Sequence, residues 1–480
     1  MIQKAITKYG LAFHLAILAA IPSSLAPFVS EQALGRVVLW LSLFAALWIF
    51  FEPSIRPGEH LSLARMRVCA SIVRDPIVWF FWVYILLVGI RWLNAGMEMA
   101  YDPEKVAWVV SEPALSIFPG SVDGVGFMSF AVSVGGMVLV AGLRHAVGLG
   151  ARSSFALTGS FFAGLGGLAT AVCACVGIEP FVKDAMQGFG IIRAPAIGSL
   201  FGIWLLIGIG AGVLAEARNW KRGRIFFIAA IGGNVAGVIF FSPPLVAAAY
   251  LLVAILFAIF CLVWLGRVSS KGAVARIFSF ILMGALVPTF LIMAFTSPEF
   301  KNAKFKFLDP TVAWDAKTSN ANSVLSEVSK RLWLADPWRG AGLGAFKLKV
   351  PFIVHKEEWD AIPPNVERSV NGYWTILAER GNVMCALFAL GLGLMLWAWC
   401  SSGAQAFIAI RRNQDADAFP FACSPEVWLP LLFAPLLAVE SVFTSVCSLN
   451  TLPLAIVTAL ALAAASFPRR HVIEVSKEDN

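Results

Sequence analysis

Two short strings between residues 336 and 381 hold the residue types best suited to handling an anion: Asp336-Pro-Trp-Arg-Gly-Ala-Gly-Leu-Gly-Ala-Phe346 and Asn371-Gly-Tyr-Trp-Thr-Ile-Leu-Ala-Glu-Arg-Gly381. In the first, Gly340, Gly342 and Gly344 lack a Cβ and tolerate positive φ, so successive N–H groups can converge on a diphosphate. Pro337 and Phe346 would shape that loop. Arg331 and Arg339 add planar guanidinium forks, which bind phosphate oxygens two at a time. A plain tight turn needs the same glycines, so the string alone leaves both readings open. No strand precedes it and no Lys-Ser/Thr pair ends it, which argues against a nucleotide P-loop. His355 is the obvious general-base candidate, because an imidazole can take a proton near neutral pH. Glu357, Glu358, Asp360 and Glu367 stand close to it in sequence, and a solvated charged loop explains that cluster equally well. The spacing offers no metal-ligand set, so no metal is expected.

These residues belong to, or border, the one long polar stretch of the chain, 297–373, which carries eleven of the 37 Lys and Arg. The elements that must position it are apolar. Mean hydropathy is +0.79, 59% of residues are apolar and 14% are charged, against about a quarter charged in a soluble domain. Seventeen Trp and 38 Phe against five Tyr suit a lipid-facing chain with aromatic interfaces. A span needs about 20 apolar residues. That length selects about twelve segments: 11–29, 35–51, 76–93, 126–146, 155–177, 195–215, 225–242, 245–266, 278–296, 382–400, 427–446 and 449–467. Pro243-Pro244 could make the seventh and eighth a broken hairpin, and Pro22 sits in the first. Lys4 and Lys8 ahead of the first run also fit a secretory signal, but the charge alternation works better with that span retained.

Lys4, Lys8, Arg56, Arg65, Arg67, Arg74, Arg144, Arg152, Arg218, Lys221, Arg222, Arg224, Arg267, Lys271, Arg276, Arg411, Arg412, Arg469, Arg470 and Lys477 fall on one set of alternate segments. The opposite short loops and span edges hold only Arg36, Arg91, Lys105, Lys183 and Arg193. The positive-inside rule then puts both termini in the cytoplasm and 297–373 on the outer face, since long loops translocate largely regardless of charge. With the basic residues so placed, the net charge of +8 is no nucleic-acid signal. The expectation is an all-α polytopic membrane protein of about twelve helices with one large periplasmic loop. Spans one to nine occupy 1–296, the loop 297–373, spans ten to twelve 374–467, and a cytoplasmic tail 468–480.

The second outer loop, 91–123, holds Trp92, Tyr101, Trp108 and Phe118 and reads as an interfacial anchor. The eight cysteines lie in or beside apolar segments and read as small buried hydrophobes, not as disulfides or a zinc site. Glu440 in the eleventh span marks a polar contact. Asn234 reads as an interhelical hydrogen bond. Proton-coupled transport would call for several more such residues near the midplane.

The order of these parts resembles the O-antigen ligase/polymerase superfamily of bacterial envelope glycan enzymes. Asp336-Pro337-x-x-Gly340-x-Gly342-x-Gly344-x-Phe346 looks like that family's Pro-x-x-Gly-x-Gly-x-x-x-Phe motif. Asn371-x-Tyr373-x-x-x-Leu377-Ala378-Glu379-x-Gly381 looks like its His-Asn-x-Tyr-Leu-x-x-Leu-x-Glu-x-Gly motif. The resemblance implies a bacterial inner-membrane protein. It would transfer an oligosaccharide from an undecaprenyl-diphosphate donor to a lipid or glycan acceptor on the periplasmic side, without a cofactor. Membrane lipids and that donor are the expected partners; nucleic acid is not. It also implies loop arginines on the diphosphate and a histidine beside the attacking hydroxyl. Arg331, Arg339 and Arg368 are the expected contacts and His355 the expected base. Asn371, Tyr373 and Glu379 complete the substrate-binding motif, the last two bracing the loop. The chain departs from the family at Val370, where the histidine would stand, at Asn322, where an arginine would stand, and at Ser242-Pro243-Pro244, where Ser-Arg-Gly would stand. A silent scaffold of an envelope-glycan assembly complex and a lipid-linked glycan flippase are the alternatives.

Overall fold

The computed structural model describes residues 2–25, 28–29, 31–55, 59–94, 97–102, 107–111, 114–115, 117–176, 190–217, 223–242, 244–269, 271–295, 316–362, 371–412, 423–443 and 452–467. About 85% of it is helical, in 15 helices. In chain order these are α1 (Ile2–Leu25), α2 (Glu31–Phe51), α3 (Leu61–Val73), α4 (Pro76–Leu93), α5 (Asp123–Ala141), α6 (Leu149–Val176), α7 (Gly190–Ala217), α8 (Gly223–Phe241), α9 (Pro244–Val268) and α10 (Lys271–Phe295). They continue as α11 (Ala316–Ala335), α12 (Phe346–Ile353), α13 (Gly372–Arg412), α14 (Leu429–Phe443) and α15 (Leu452–Ala465).

Among the described residues, six helices are long and apolar enough to cross a membrane: Gln32–Phe51, Pro76–Leu93, Gly124–Ala146, Gly198–Ala217, Val246–Val268 and Gly372–Arg412. Shorter apolar helices occupy Gly10–Leu25, Arg224–Ile239, Gly272–Leu286, Pro425–Ala438 and Leu452–Ala465. In hydrocarbon every backbone polar group must be satisfied within its own segment, so such runs fold as helices. Where they begin is set by local chemistry. Asp75 caps α4, accepting from the Ile77 N–H at 3.0 Å, with Pro76 at the first helical position, where a missing N–H costs nothing.

Two elements differ from a simple all-helical pattern. The connection between α4 and α5 forms an antiparallel hairpin, β1 (Met99–Asp102) on β2 (Ala107–Val110), pairing Tyr101 with Trp108. Aromatic and β-branched side chains such as Tyr101, Trp108, Val109 and Val110 favour that pleated pairing. The basic stretch after α2 is not a plain loop either, because α3 occupies it.

The bundle interior is held by close packing and one polar chain. α6 runs along α1 and α8, α7 along α8, and α2 along α5. A methyl group on Gly233 of α8 would overlap the Gly164 carbonyl of α6, so only glycine permits that approach. Beside it, the Asn234 amide donates to Ser160 O at 2.9 Å and to Ser160 Oγ at 3.1 Å. The Ser160 hydroxyl donates to Trp204 O at 2.8 Å, and the Trp204 indole donates to Ser23 Oγ at 3.2 Å. Asn234 thus makes the expected interhelical bond and links α8, α6, α7 and α1. Cys261 and Cys423 are buried as expected, whereas Cys69 and Cys400 are exposed on helix surfaces.

Candidate functional site

The two strings fold into one object. The Asn371 carboxamide caps α13, accepting from the N–H groups of Tyr373 at 3.0 Å and Trp374 at 3.2 Å. The helix runs to Arg380 and breaks at Gly381, which has φ 71° and ψ 171°. The carbonyls freed there are taken by the glycine string: Ala341 N–H donates to Ala378 O at 2.7 Å and Gly342 N–H to Glu379 O at 3.0 Å. In return Asn382 N–H donates to Pro337 O at 2.8 Å. Gly340, Gly342, Gly344 and Gly381 all have positive φ. At the crossing a Cβ on Gly381 would stand 2.5 Å from Gly340 N, so both strands of the crossing need glycine.

The surroundings hold this crossing in place. Trp333 of α11 donates its indole N–H to Asn382 Oδ1 at 3.0 Å. From the connection between α4 and α5, Val122 N–H donates to Leu343 O at 2.9 Å. Phe346 is fully buried in a small apolar core with Met97, Leu325, Val328, Leu332 and Ala378. From the bundle, the Arg91 guanidinium donates to Arg339 O at 2.7 Å and to Arg380 O at 3.2 Å. Arg91 is 4% exposed, and its Nη1 is buried without a partner among the described residues. Two turns earlier on the same face of α4, the Tyr84 hydroxyl accepts from Arg380 Nη1.

Below Arg380 and Tyr84 opens a cavity of about 70 Å³ between α4, α5, α13 and α15. Phe80, Phe81, Gly391 and Val457 give it apolar walls, and Ser129 and Ser133 add hydroxyls. A guanidinium and a phenol at the end of an apolar slot suit an anionic head on a hydrocarbon chain, the guanidinium as a two-point donor.

Comparison with protein-family models and with curated proteins gives no match.

The expected site residues divide into groups. Arg331 is engaged by Glu358, Nη1 to Oε2 at 2.9 Å and Nη2 to Oε1 at 2.6 Å. That guanidinium brings the Glu358 carboxyl down to about 2, and Glu358 raises the Arg331 pKa in turn. His355 joins the pair through its backbone, its N–H donating to Glu358 Oε2 at 3.0 Å, while its ring is exposed. Arg339 is 52% exposed on its side chain and bonds Asp336 Oδ2 at 2.8 Å. Pro337 and the Arg339 carbonyl belong to the crossing. Tyr373 donates its hydroxyl hydrogen to Ala438 O at 2.9 Å, tying α13 to α14, and Glu379 is buried. Arg368, Val370 and Pro243 lie outside the described residues. The structure therefore joins Arg331 and His355 at Glu358, and neither lines the cavity. The guanidiniums nearest the slot are Arg91 and Arg380, with Tyr84, none of which the glycine string or the histidine search singles out. Their signal was burial cost: Arg91 is the single charged residue in the 18 of α4.

Proposed function

We propose that the chain transfers an undecaprenyl-diphosphate-linked oligosaccharide to a lipid or glycan acceptor, as an O-antigen ligase/polymerase-like protein of the bacterial inner membrane. In this reading it has about twelve spans, both termini in the cytoplasm and the 297–373 stretch in the periplasm. The observation that carries the proposal is the backbone crossing of the two strings, clamped by Arg91 above a slot that ends at Arg380 and Tyr84. The slot suits a segment of the prenyl chain, and Arg380 with Arg91 suits the diphosphate. Arg339 supplies a further contact at the crossing, and Arg368 keeps the diphosphate role that the sequence resemblance implies. Arg331, held by Glu358, acts through the shape of the loop. His355 takes the proton of the acceptor hydroxyl, whose oxygen attacks the anomeric carbon. The sugar–phosphate bond breaks, and the lipid diphosphate leaves as an anion stabilised by the guanidiniums.

Glycan transfer in a complemented strain tests this, with membrane protein levels measured alongside. Arg380→Ala and His355→Ala should each lower transfer by about a hundredfold or more. Arg380→Lys should keep protein level and part of the activity, since it keeps the charge and loses the fork. Full transfer in both alanine variants at normal protein level would sink the enzyme reading. The Arg331–Glu358 and Arg339–Asp336 pairs favour one second reading, a silent scaffold, because carboxylates already engage two of the expected cations. A scaffold would keep transfer in every single variant and lose it only on deletion of the chain.

A further inference from the structure

The end of the bundle away from the Arg91 crossing carries a helix that no catalytic reading uses. α3 lies between the last turn of α2 and the first turn of α4, both long enough to span a membrane. Ala64 and Val68 are buried against the bundle, with Ile72 packed beside them. At 100° per residue, Leu63, Met66, Ala70 and Val73 fall on the opposite side of the helix. All four are exposed, Met66 at 63%. A helix lying on a bundle in water shows polar groups on that side; this one shows a stripe of hydrocarbon. The stripe continues the lipid-facing surfaces of its neighbours through exposed Phe50 and Phe51 at the end of α2 and exposed Trp79 at the start of α4. Trp79 also donates its indole N–H to Val73 O at 2.7 Å, fixing the end of α3 to α4.

Cations flank the stripe at the level where the spans end. Arg65 donates to Phe50 O at 3.1 Å and Phe51 O at 3.3 Å, with its guanidinium 5.4 Å above the Phe50 ring. These partners are neutral, so its full positive charge stays available. Arg67 is paired with Glu59 at 2.9 Å, and Arg144 with Asp75 at 2.9 Å, so neither adds a net charge. Arg74 is exposed and has no side-chain partner among the described residues. Apolar side chains flanked by uncompensated arginines at a membrane boundary match anionic headgroups above acyl chains.

We propose that α3 is an in-plane anchor binding anionic glycerophospholipid, with Leu63, Met66 and Val73 in the acyl layer and Arg65 and Arg74 on the headgroup phosphates. Two readouts test this on the full chain in nanodiscs of phosphatidylcholine, with or without phosphatidylglycerol. A nitroxide at Met66→Cys, with Cys69 and Cys400 changed to Ser, should relax with oxygen and not with a water-soluble nickel chelate. Native mass spectrometry should show phosphatidylglycerol retained over phosphatidylcholine. That preference should fall about fivefold in Arg74→Gln and survive in Arg74→Lys. Arg65→Gln should act alike but also uncaps α2, so Arg74→Gln decides. Access of the nickel chelate would mean the stripe faces water. Protection from both reagents would mean a second copy or a protein partner covers it. Either result, or equal retention of the two lipids, overturns the proposal.

Discussion

Arg331 and Glu358 satisfy each other. Both are about a quarter exposed or less, and the bond is two-pronged, so about 1 kcal/mol is a fair scale for the pair. Its pH dependence has a definite sign. The Glu358 carboxyl ordinarily titrates at 4.5 and here at about 2. A depressed carboxyl adds stability above its unfolded value and loses it as pH falls through the folded one. The 3-10 turn Lys356–Ala361, which this bond docks on α11, should therefore hold unchanged from pH 7 to 5 and loosen between about 4.5 and 2. Hydrogen exchange at the His355 amide, corrected for its intrinsic rate, reads this directly. Glu358→Ala at pH 7 should speed that amide about fivefold; no change would mean the turn is held by other contacts. Helical spacing puts Glu327 one turn before Arg331, 4.0 Å away, but the tighter partner, Glu358, stands 27 positions on, a distance no local pattern spans. Arg91 was legible by a different rule. A lone charge inside an apolar run must have somewhere to donate, and it donates to two carbonyls of the crossing.

At the scale of elements, α13 shows how much a spacing pattern can say. The glycines at 340, 342, 344 and 381 pointed to tight backbone conformations, and each has positive φ. The strings did not reveal that they close on each other, because mutual closure depends on where the helix break exposes its carbonyls. Phe346 was readable as a shaping residue, and its burial beneath α11 accounts for that. The apolar runs located the helices well, since hydrocarbon leaves the backbone no other choice. The sequence does not give away the β1–β2 hairpin or α3, because each is far shorter than a membrane span and sits between spans, where a length criterion passes over it. The crossing makes a sharp expectation for Gly381→Ala. A side chain at φ 71° costs about 1–2 kcal/mol by itself, and the new methyl also meets Gly340 N at 2.5 Å. The variant should lose more than about 2 kcal/mol, read as a lower unfolding midpoint in detergent and faster proteolysis of the α11–α12 region. An unchanged midpoint would show that the two strings do not brace each other.

At the scale of the whole molecule, α13 joins the region of α11 and α12 to Arg411 and Arg412. After the break at Gly381 the helix continues to Arg412, on the order of 46 Å at 1.5 Å per residue, against about 30 Å of hydrocarbon. A helix of that length that crosses the bilayer would have one end beside the cap formed by α11 and α12 and the other beyond the opposite headgroups, near Arg411 and Arg412. Basic residues held back on the cytoplasmic side would put the cap outside. This gives the last expectation, tested by paired cysteines in a chain whose eight native cysteines are replaced. Lys356→Cys on the exposed turn of the cap and Arg412→Cys at the far end of α13 lie on opposite sides of the bilayer in this arrangement. In intact spheroplasts an impermeant maleimide should label Lys356→Cys at once and Arg412→Cys only after lysis. Replacing one arginine among the many on that side leaves the charge asymmetry standing, so the variant should not invert. Labelling of both from outside would mean that α13 does not cross the bilayer, and labelling of Arg412→Cys alone would reverse the orientation and remove the cap from the compartment where a lipid-diphosphate glycan would meet its acceptor.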